Sequence, residues 1–256
     1  MTGQLEDKVV ILAGLGGVGN GLARRYADEG ARLVVGDLDA ELTARIAGEL
    51  DPSGQRVRGV PLDGADEESV IGIVSLAVDT FGRLDGMHLN FTNAADAYLP
   101  GGVVDLPLDA FDEVMRVNTR GFVICVKHAI PPMIEAGGGS LVFTASIDAY
   151  NGASTRVSYQ MSKAAELALM RHIARKYGPK GIRCNAIAPG LIWHYKFDQN
   201  PIPDGIVVQT RARQMIKSRF GTPDDVAALG ALLLSDDGSF ITAQTISVDG
   251  GVTFRP

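Results

Sequence analysis

A short apolar run, Val9-Val10-Ile11-Leu12, leads into Gly14-Leu15-Gly16-Gly17-Val18-Gly19, and a helical pattern over 18–29 follows at once. This order restricts the fold more than any other feature of the chain. A strand that turns through glycines into a helix, with a second apolar run at 33–35 close behind, opens a βαβ unit. Parallel strands need such crossovers, and the crossovers bring helices onto the sheet faces. The alternation then continues. Apolar runs at 57–62, 87–89, 141–144, 182–187 and 244–248 predict further strands. Helical patterns at 67–81, 107–135 and 158–177 lie between them, and Pro131-Pro132 is expected to bend the end of the second. Gly137-Gly138-Gly139 punctuates the chain before the fifth strand.

The expected fold is α/β: a single Rossmann-type, doubly wound parallel sheet of about seven strands with helices on both faces. The 256 residues show no repeats, low-complexity tracts or linkers, so one domain spanning 1–256 is expected. Net charge is −6 and the basic residues are scattered, which points to neither nucleic acid nor a membrane surface as partner. No apolar run approaches the length of a membrane span. The first residues, Met1-Thr2-Gly3-Gln4-Leu5-Glu6-Asp7-Lys8, carry no signal-peptide pattern. Cys125 and Cys184 lie far apart and read as free, buried thiols of a cytoplasmic protein. His88, His128, His172 and His194 show no metal-ligand spacing, so no metal site is expected.

The glycine run matches Gly-x-Gly-x-x-Gly between a strand and a helix. Gly14, Gly16 and Gly19 allow a tight turn and close approach to a pyrophosphate, with Leu15, Gly17 and Val18 completing the loop. The helix N-terminus supplies N–H groups and a positive dipole end. In a chain with 31 glycines such a match also arises by chance, as an ordinary strand-to-helix turn. Asp37 at the end of the second strand favours the binding reading. A carboxylate there accepts ribose hydroxyl hydrogen bonds and repels a 2′-phosphate. Leu38 follows, where a 2′-phosphate binder would carry Arg or Lys. The expected cofactor is NAD.

Tyr159 and Lys163 stand four residues apart, on one face of the helix predicted at 158–177. A free tyrosine titrates near 10, and an adjacent ammonium favours the phenolate. Ser146, thirteen residues upstream, is placed to hydrogen-bond the same substrate oxygen. The trio reads as a proton-transfer centre for an alcohol and its ketone. Taken alone, the pair is equally well a solvated lysine beside a half-buried tyrosine.

These motifs, in this order, resemble the short-chain dehydrogenase/reductase superfamily in its one-domain form. The likeness covers nearly the whole chain. Val117-Asn118 carries the helix asparagine of the family tetrad, and Phe143-Thr144-Ala145-Ser146 its serine. Tyr159 and Lys163 match the family pair. Asn185-Ala186-Ile187-Ala188-Pro189-Gly190, Arg219-Phe220-Gly221-Thr222-Pro223-Asp224-Asp225-Val226-Ala227 and Val248-Asp249-Gly250-Gly251 match its later signatures. The resemblance implies that Tyr159 is the general acid/base and that Lys163 supports it and holds the nicotinamide ribose. Ser146 would stabilise the substrate oxygen, and Asn118 would hold a relay water. Asp63 and Gly64 would meet the adenine, Asn90 and Pro189 would border the cofactor, and Ile192 would meet the carboxamide. A homotetramer built on the helices around Asn118 and Tyr159 is also implied. Ala164, Ala165, Leu167, Ala168, Leu169 and Met170 wrap more than one helix face, in keeping with burial on two sides.

The chain departs from the family pattern in four places. Ala13 replaces a usual Thr, and the glycine loop is one residue short. Leu89-Asn90-Phe91-Thr92 stands where Asn-Asn-Ala-Gly is usual, so only Asn90 matches. His194 replaces a Thr that often meets the cofactor, and Asp148 puts a carboxylate two residues after Ser146. Drift in tolerant loops accounts for the first two; His194 and Asp148 are candidates for substrate contact. Residues 193–217 are expected to form a substrate lid. Trp193, Tyr195, Phe197 and Ile206 there, with Phe91, suggest a bulky apolar or cyclic substrate, unless they only pack the lid onto its own domain. The expected function is an NAD(H)-dependent oxidoreductase interconverting a secondary alcohol and a ketone. The alternative is an NAD-binding sensor or scaffold without turnover.

Overall fold

Crossovers of alternating direction put the first strand in the middle of the sheet. In the computed structural model, which describes residues 3–94, 102–152, 155–199 and 201–254, β1 (Val9–Ala13) pairs in parallel with β2 (Arg32–Asp37) and with β4 (Gly86–Leu89). β3 (Val57–Pro61) lies outside β2. β5 (Gly139–Thr144), β6 (Ile182–Pro189) and β7 (Thr245–Val248) continue from β4. The seven strands run in the order β3-β2-β1-β4-β5-β6-β7, all parallel. Growth of the sheet reverses between β1 and β4, and a crevice opens there at the strand C-termini.

The strand period of two divides the core. Val9, Ile11 and Ala13 face α3 (Glu67–Phe81), α5 (Gly121–Glu135) and α6 (Val157–Tyr177). Val10 and Leu12 face α1 (Gly19–Asp28), α2 (Ala40–Leu50) and α9 (Pro223–Leu234). The sheet is therefore covered on both faces, which is why its central strands, β1 above all, carry apolar runs. Cys125 and Cys184 are both buried and unpaired.

The structure adds elements that periodicity alone left out. α2 starts on Asp39, whose carboxylate accepts the Leu42 N–H at 3.0 Å. α9 starts on Thr222, whose N–H donates to Asp225 at 2.8 Å in a capping box. Residues 193–217 contain α7 (Lys196–Gln199) and α8 (Asp204–Arg213). The long helix expected at 107–135 is α4 (Leu108–Val114), a π-helical stretch Met115–Arg120, and α5. The helix runs through Pro131 and Pro132 as far as Glu135. Among the described residues no helix is long and apolar enough to cross a membrane, and no His/Cys/Asp/Glu group suits a metal ion.

Candidate active site

The crevice is a cleft of about 680 Å³. Gly14, Gly16, Gly17, Val18, Asp37, Leu38, Asp63, Gly64 and Asn90 line its first half. Phe91, Ser146, Tyr159, Pro189, Ile192 and His194 line the second. The first half has the shape of a cradle. Gly14 sits at φ +102° and Gly17 at φ +58°, conformations that side chains disfavour. A Cβ at Gly19 would overlap the Gly14 carbonyl oxygen, so Gly19 packs the helix onto the loop and does not line the cleft. Leu15 turns its side chain into the core, and its N–H donates to Asp37 Oδ2 at 2.7 Å. The Gly16 N–H reaches the same oxygen at 3.2 Å. Asp37 thus braces the loop and presents its carboxylate at the rim, beside Leu38, which is 76% exposed. The Asn90 side chain donates to the Gly14 carbonyl at 2.9 Å, tying β4 to the loop.

Two polar side chains close over the cradle. Lys196 Nζ stands 2.8 Å from where a Gly16 Cβ would lie, and His194 Nε2 stands 3.1 Å from a Gly17 Cβ. Burial, then the Lys196 charge, holds the His194 imidazole below its ordinary range, so it is neutral at neutral pH. His194 Nδ1 is buried without a hydrogen-bond partner among the described residues. Glycines open to backbone approach, a cation over them, an unmet ring nitrogen and a carboxylate at the rim fit a dinucleotide with its pyrophosphate on the loop.

The second half is built on β5 and α6. Ser146 ends the run after β5, and its Oγ accepts the Asp148 N–H at 3.1 Å. Tyr159, on the first turn of α6, is half-buried and faces the cleft. Lys163 does not line the cleft. Its side chain is 2% exposed, and its Nζ lies 5.6 Å from the Tyr159 ring centroid and 5.5 Å from that of Phe122. The ammonium donates to the Thr144 carbonyl at 2.9 Å and to Glu166 at 2.9 and 3.2 Å. Glu166 is itself fully buried. Burial pushes its carboxyl up to about 7 against the pull of Lys163. Behind Thr144 lies a second polar chain. Its Oγ1 is 2.8 Å from His88 Nε2, and His88 Nδ1 is 2.6 Å from the Tyr26 hydroxyl. Burial lowers His88 to about 3, which keeps it neutral.

Asn118 lies in the π-helical stretch and is buried outside the cleft. Its Oδ1 accepts the Asn93 N–H at 2.7 Å, and its Nδ2 donates to the Asn93 carbonyl at 2.8 Å and to Ser162 Oγ at 3.0 Å. It therefore fastens the loop after β4 to α6. Such π-turns inside α-helices are rare and occur frequently at functional sites.

The expected substrate contacts are redistributed. Asp148 is buried and its carboxylate meets Arg156 at 2.7 Å, so it is engaged inside the wall and does not line the cleft. Arg156 holds a left-handed backbone (φ +62°), and its guanidinium lies 5.5 Å from the Tyr159 ring centroid. Trp193 is turned out of the cleft: it stacks on Phe220 at 5.7 Å and meets Phe197 edge-on at 5.7 Å. Phe91 reaches the cleft, yet its ring packs on Phe122 at 5.0 Å and beneath Gly64, on the side expected for adenine. Phe197, stacked on His194 at 3.9 Å, and Leu191 take the place expected of Trp193. Glu166, Thr144, Arg156 and Lys196 were not among the expected site residues. The Lys163-x-x-Glu166 spacing was the one signal for the first of them.

Comparison with known proteins gives a consistent set of relatives. A family model described as enoyl-(acyl carrier protein) reductase matches residues 13–253. A 7alpha-hydroxysteroid dehydrogenase of Bacteroides fragilis is 34% identical over 253 residues, covering 98% of this chain and 96% of that protein. A (−)-isopiperitenol/(−)-carveol dehydrogenase of Mentha piperita is 34% identical over 266 residues, covering 99% and 96%. A solved short-chain type dehydrogenase/reductase from Mycobacterium ulcerans superposes with a TM-score of 0.91 at 28% identity, covering 97% of this chain and 90% of that one.

Proposed function

The chain belongs to the short-chain dehydrogenase/reductase family, and on that premise we propose an NAD-dependent interconversion of a secondary alcohol and its ketone in which Tyr159 moves the proton. Its relatives make it an oxidoreductase of alcohols and ketones with a nicotinamide cofactor. They lend nothing to the sensor alternative. The observation that carries the assignment of Tyr159 is its place: it faces the cleft with Ser146, in line with the glycine cradle, and the Lys163 ammonium lies behind its ring.

Gly14, Gly16 and Gly17 would seat the pyrophosphate, with Gly19 holding the helix N-terminus against the loop and Lys196 above it. Asp37 would take the adenosine ribose, Asp63 and Gly64 the adenine, and Ile192 the carboxamide. When bound, the nicotinamide supplies the hydride acceptor or donor. The protein supplies the proton chemistry. In the oxidation direction Tyr159 takes the hydroxyl proton, and Lys163 stabilises the resulting phenolate. Ser146 Oγ donates to the substrate oxygen as its negative charge grows. Asn118 holds the Asn93 loop against α6 and so keeps this wall in place. Leu191, with Phe197 on the segment 193–217, would cover a bulky or cyclic alcohol. The relative named for hydroxysteroids supports that substrate class. An apolar groove of about 570 Å³ between α5 and α6, with Val123, Ile130, Ile134 and Leu169 in its walls, supports the homotetramer inferred from the family. The reading places the enzyme in the cytoplasm.

The test is spectrophotometric. Purified protein is given NAD and a panel of cyclic and acyclic secondary alcohols, and NADH absorbance is followed, with NADP in parallel. Turnover with NAD is expected, and NADP should be at least about tenfold less efficient, the factor produced by ~1.4 kcal/mol of carboxylate–phosphate repulsion. Equal efficiency would sink the role given to Asp37.

A further inference from the structure

Glu166 is a buried acid with no part in the reaction above. A carboxylate is not placed in a core without a partner, and every atom of its partnership is visible. Lys163 Nζ meets both Glu166 oxygens, at 2.9 and 3.2 Å, and the Thr144 carbonyl at 2.9 Å. An ammonium has three N–H donors, so most of this one is committed inside the wall. The same ammonium lies 5.6 Å from the Tyr159 ring centroid. A phenolate at Tyr159 and a carboxylate at Glu166 therefore share the Lys163 charge, the other cation near the ring, Arg156, being paired with Asp148.

We propose that Glu166 is a positioning residue: it holds the Lys163 ammonium against the Thr144 carbonyl and offsets its charge, so that Tyr159 works beside a weakened cation. The inference rests on the acid–base role given above to Tyr159. The surrounding charges do not perform this function. Cys184 of β6 is a thiol that burial keeps neutral. Asp148 is paired with Arg156, and Arg116 with Glu113. Arg120 donates to the Ala65 carbonyl, and Asp109, Asp112 and Lys180 face solvent. Among the described residues, Lys163 is the one charge that perturbs Glu166. Because burial lifts the Glu166 carboxyl to about 7, the offset is complete at alkaline pH and fades as the pH falls through neutrality.

Glu166→Gln keeps the shape and an acceptor and removes the charge. The phenolate form of Tyr159 then has the whole ammonium, and the acid limb of kcat/KM for alcohol oxidation should move down by about one pH unit. Glu166→Asp retains the charge and should keep the parental limb. A loss of packing alone would lower activity without moving the limb. An unmoved limb in a Gln variant of parental thermal stability overturns the proposal, and so does an upward shift. If the Gln variant does not fold, Glu166→Leu is read in the same way. A second measurement needs neither cofactor nor substrate: the ¹³Cε resonance of Lys163, assigned with Lys163→Arg, is recorded in the unliganded parent and Glu166→Gln proteins. A changed resonance supports the contact, and coincident resonances overturn it. Should no alcohol be turned over by the parent, the functional reading fails and the lysine resonance still decides the Glu166 contact.

Discussion

Tyr159→Phe is expected to lower kcat by about 10²–10⁴-fold, the usual contribution of general acid–base catalysis, while NAD binds nearly as tightly as before. The two effects separate because of where the ring sits. The phenyl edge left behind still fills its place between Arg156 and Lys163, so the wall of the cleft keeps its shape. The proton acceptor alone is lost. Ser146 remains beside the substrate oxygen, but its Oγ already accepts the Asp148 N–H. Binding can be followed without turnover, since Trp193 is the chain's single tryptophan and adjoins His194 over the cradle. Its fluorescence should respond to NAD in both proteins. A Phe variant that turns over at near-parental rate would remove Tyr159 from the mechanism.

Lys163→Met should abolish turnover and also destabilise the fold, by about 3–5 kcal/mol at pH 8, the loss expected when one partner of a buried ion pair is removed. Methionine matches the lysine stem in length, so packing on Phe122 is kept and the effect isolates the charge. The pH dependence follows from Glu166. Its carboxyl is already raised in the folded parent by burial, and without Lys163 it rises further. A carboxyl raised by folding contributes stability that is whole below the ordinary carboxylate range and is lost as pH rises through the folded value. The variant should therefore approach the parent at pH 5 and fall furthest behind it at pH 8. Lys163→Met combined with Glu166→Leu removes both charges and should recover most of the stability at pH 8 but none of the activity. Urea unfolding at the two pH values checks both variants. A single variant equally destabilised at pH 5 and 8 would mean that lost packing, rather than a stranded carboxylate, is responsible.

The sheet was legible because its central strands are covered on both faces, which leaves apolar runs such as Val9-Val10-Ile11-Leu12 and Leu141-Val142-Phe143. α2 and α9 were equally readable in principle. Asp39-Ala40-Glu41-Leu42 and Thr222-Pro223-Asp224-Asp225 are helix-start signals, and periodicity alone passed over them. The side of the site that depends on strand ends, from Gly14 to Asp37 and from Ser146 to Tyr159, followed from the motifs because strand ends are fixed by the sheet. The substrate side did not, because its side chains are aimed by loop contacts distant in sequence. Trp193 points away since its N–H is held by the Gly221 carbonyl, which turns the ring onto Phe220. Asp148 is withdrawn since Arg156, in a left-handed turn, reaches back to it. Glu166 could equally have faced solvent, because α6 is apolar on more than one side and the Lys-x-x-Glu spacing does not say which side is buried.

The order of the strands also sets a timetable for assembly. Within β1, β2 and β3 each strand pairs with one made just before or after it, so an emerging chain can close the glycine cradle early. The opposite flank of β1 waits for β4, and Val10 finds Gly86 only after α1, β2, α2, β3 and α3 have been made. Ser146, Tyr159 and Lys163 come later still, on elements that need β4 as their template. A chain halted midway would own a nucleotide cradle and no means of moving a proton. Cys125, sealed in the finished core, would stay open to oxidation through that interval, and Cys184 until β6 has closed on β5.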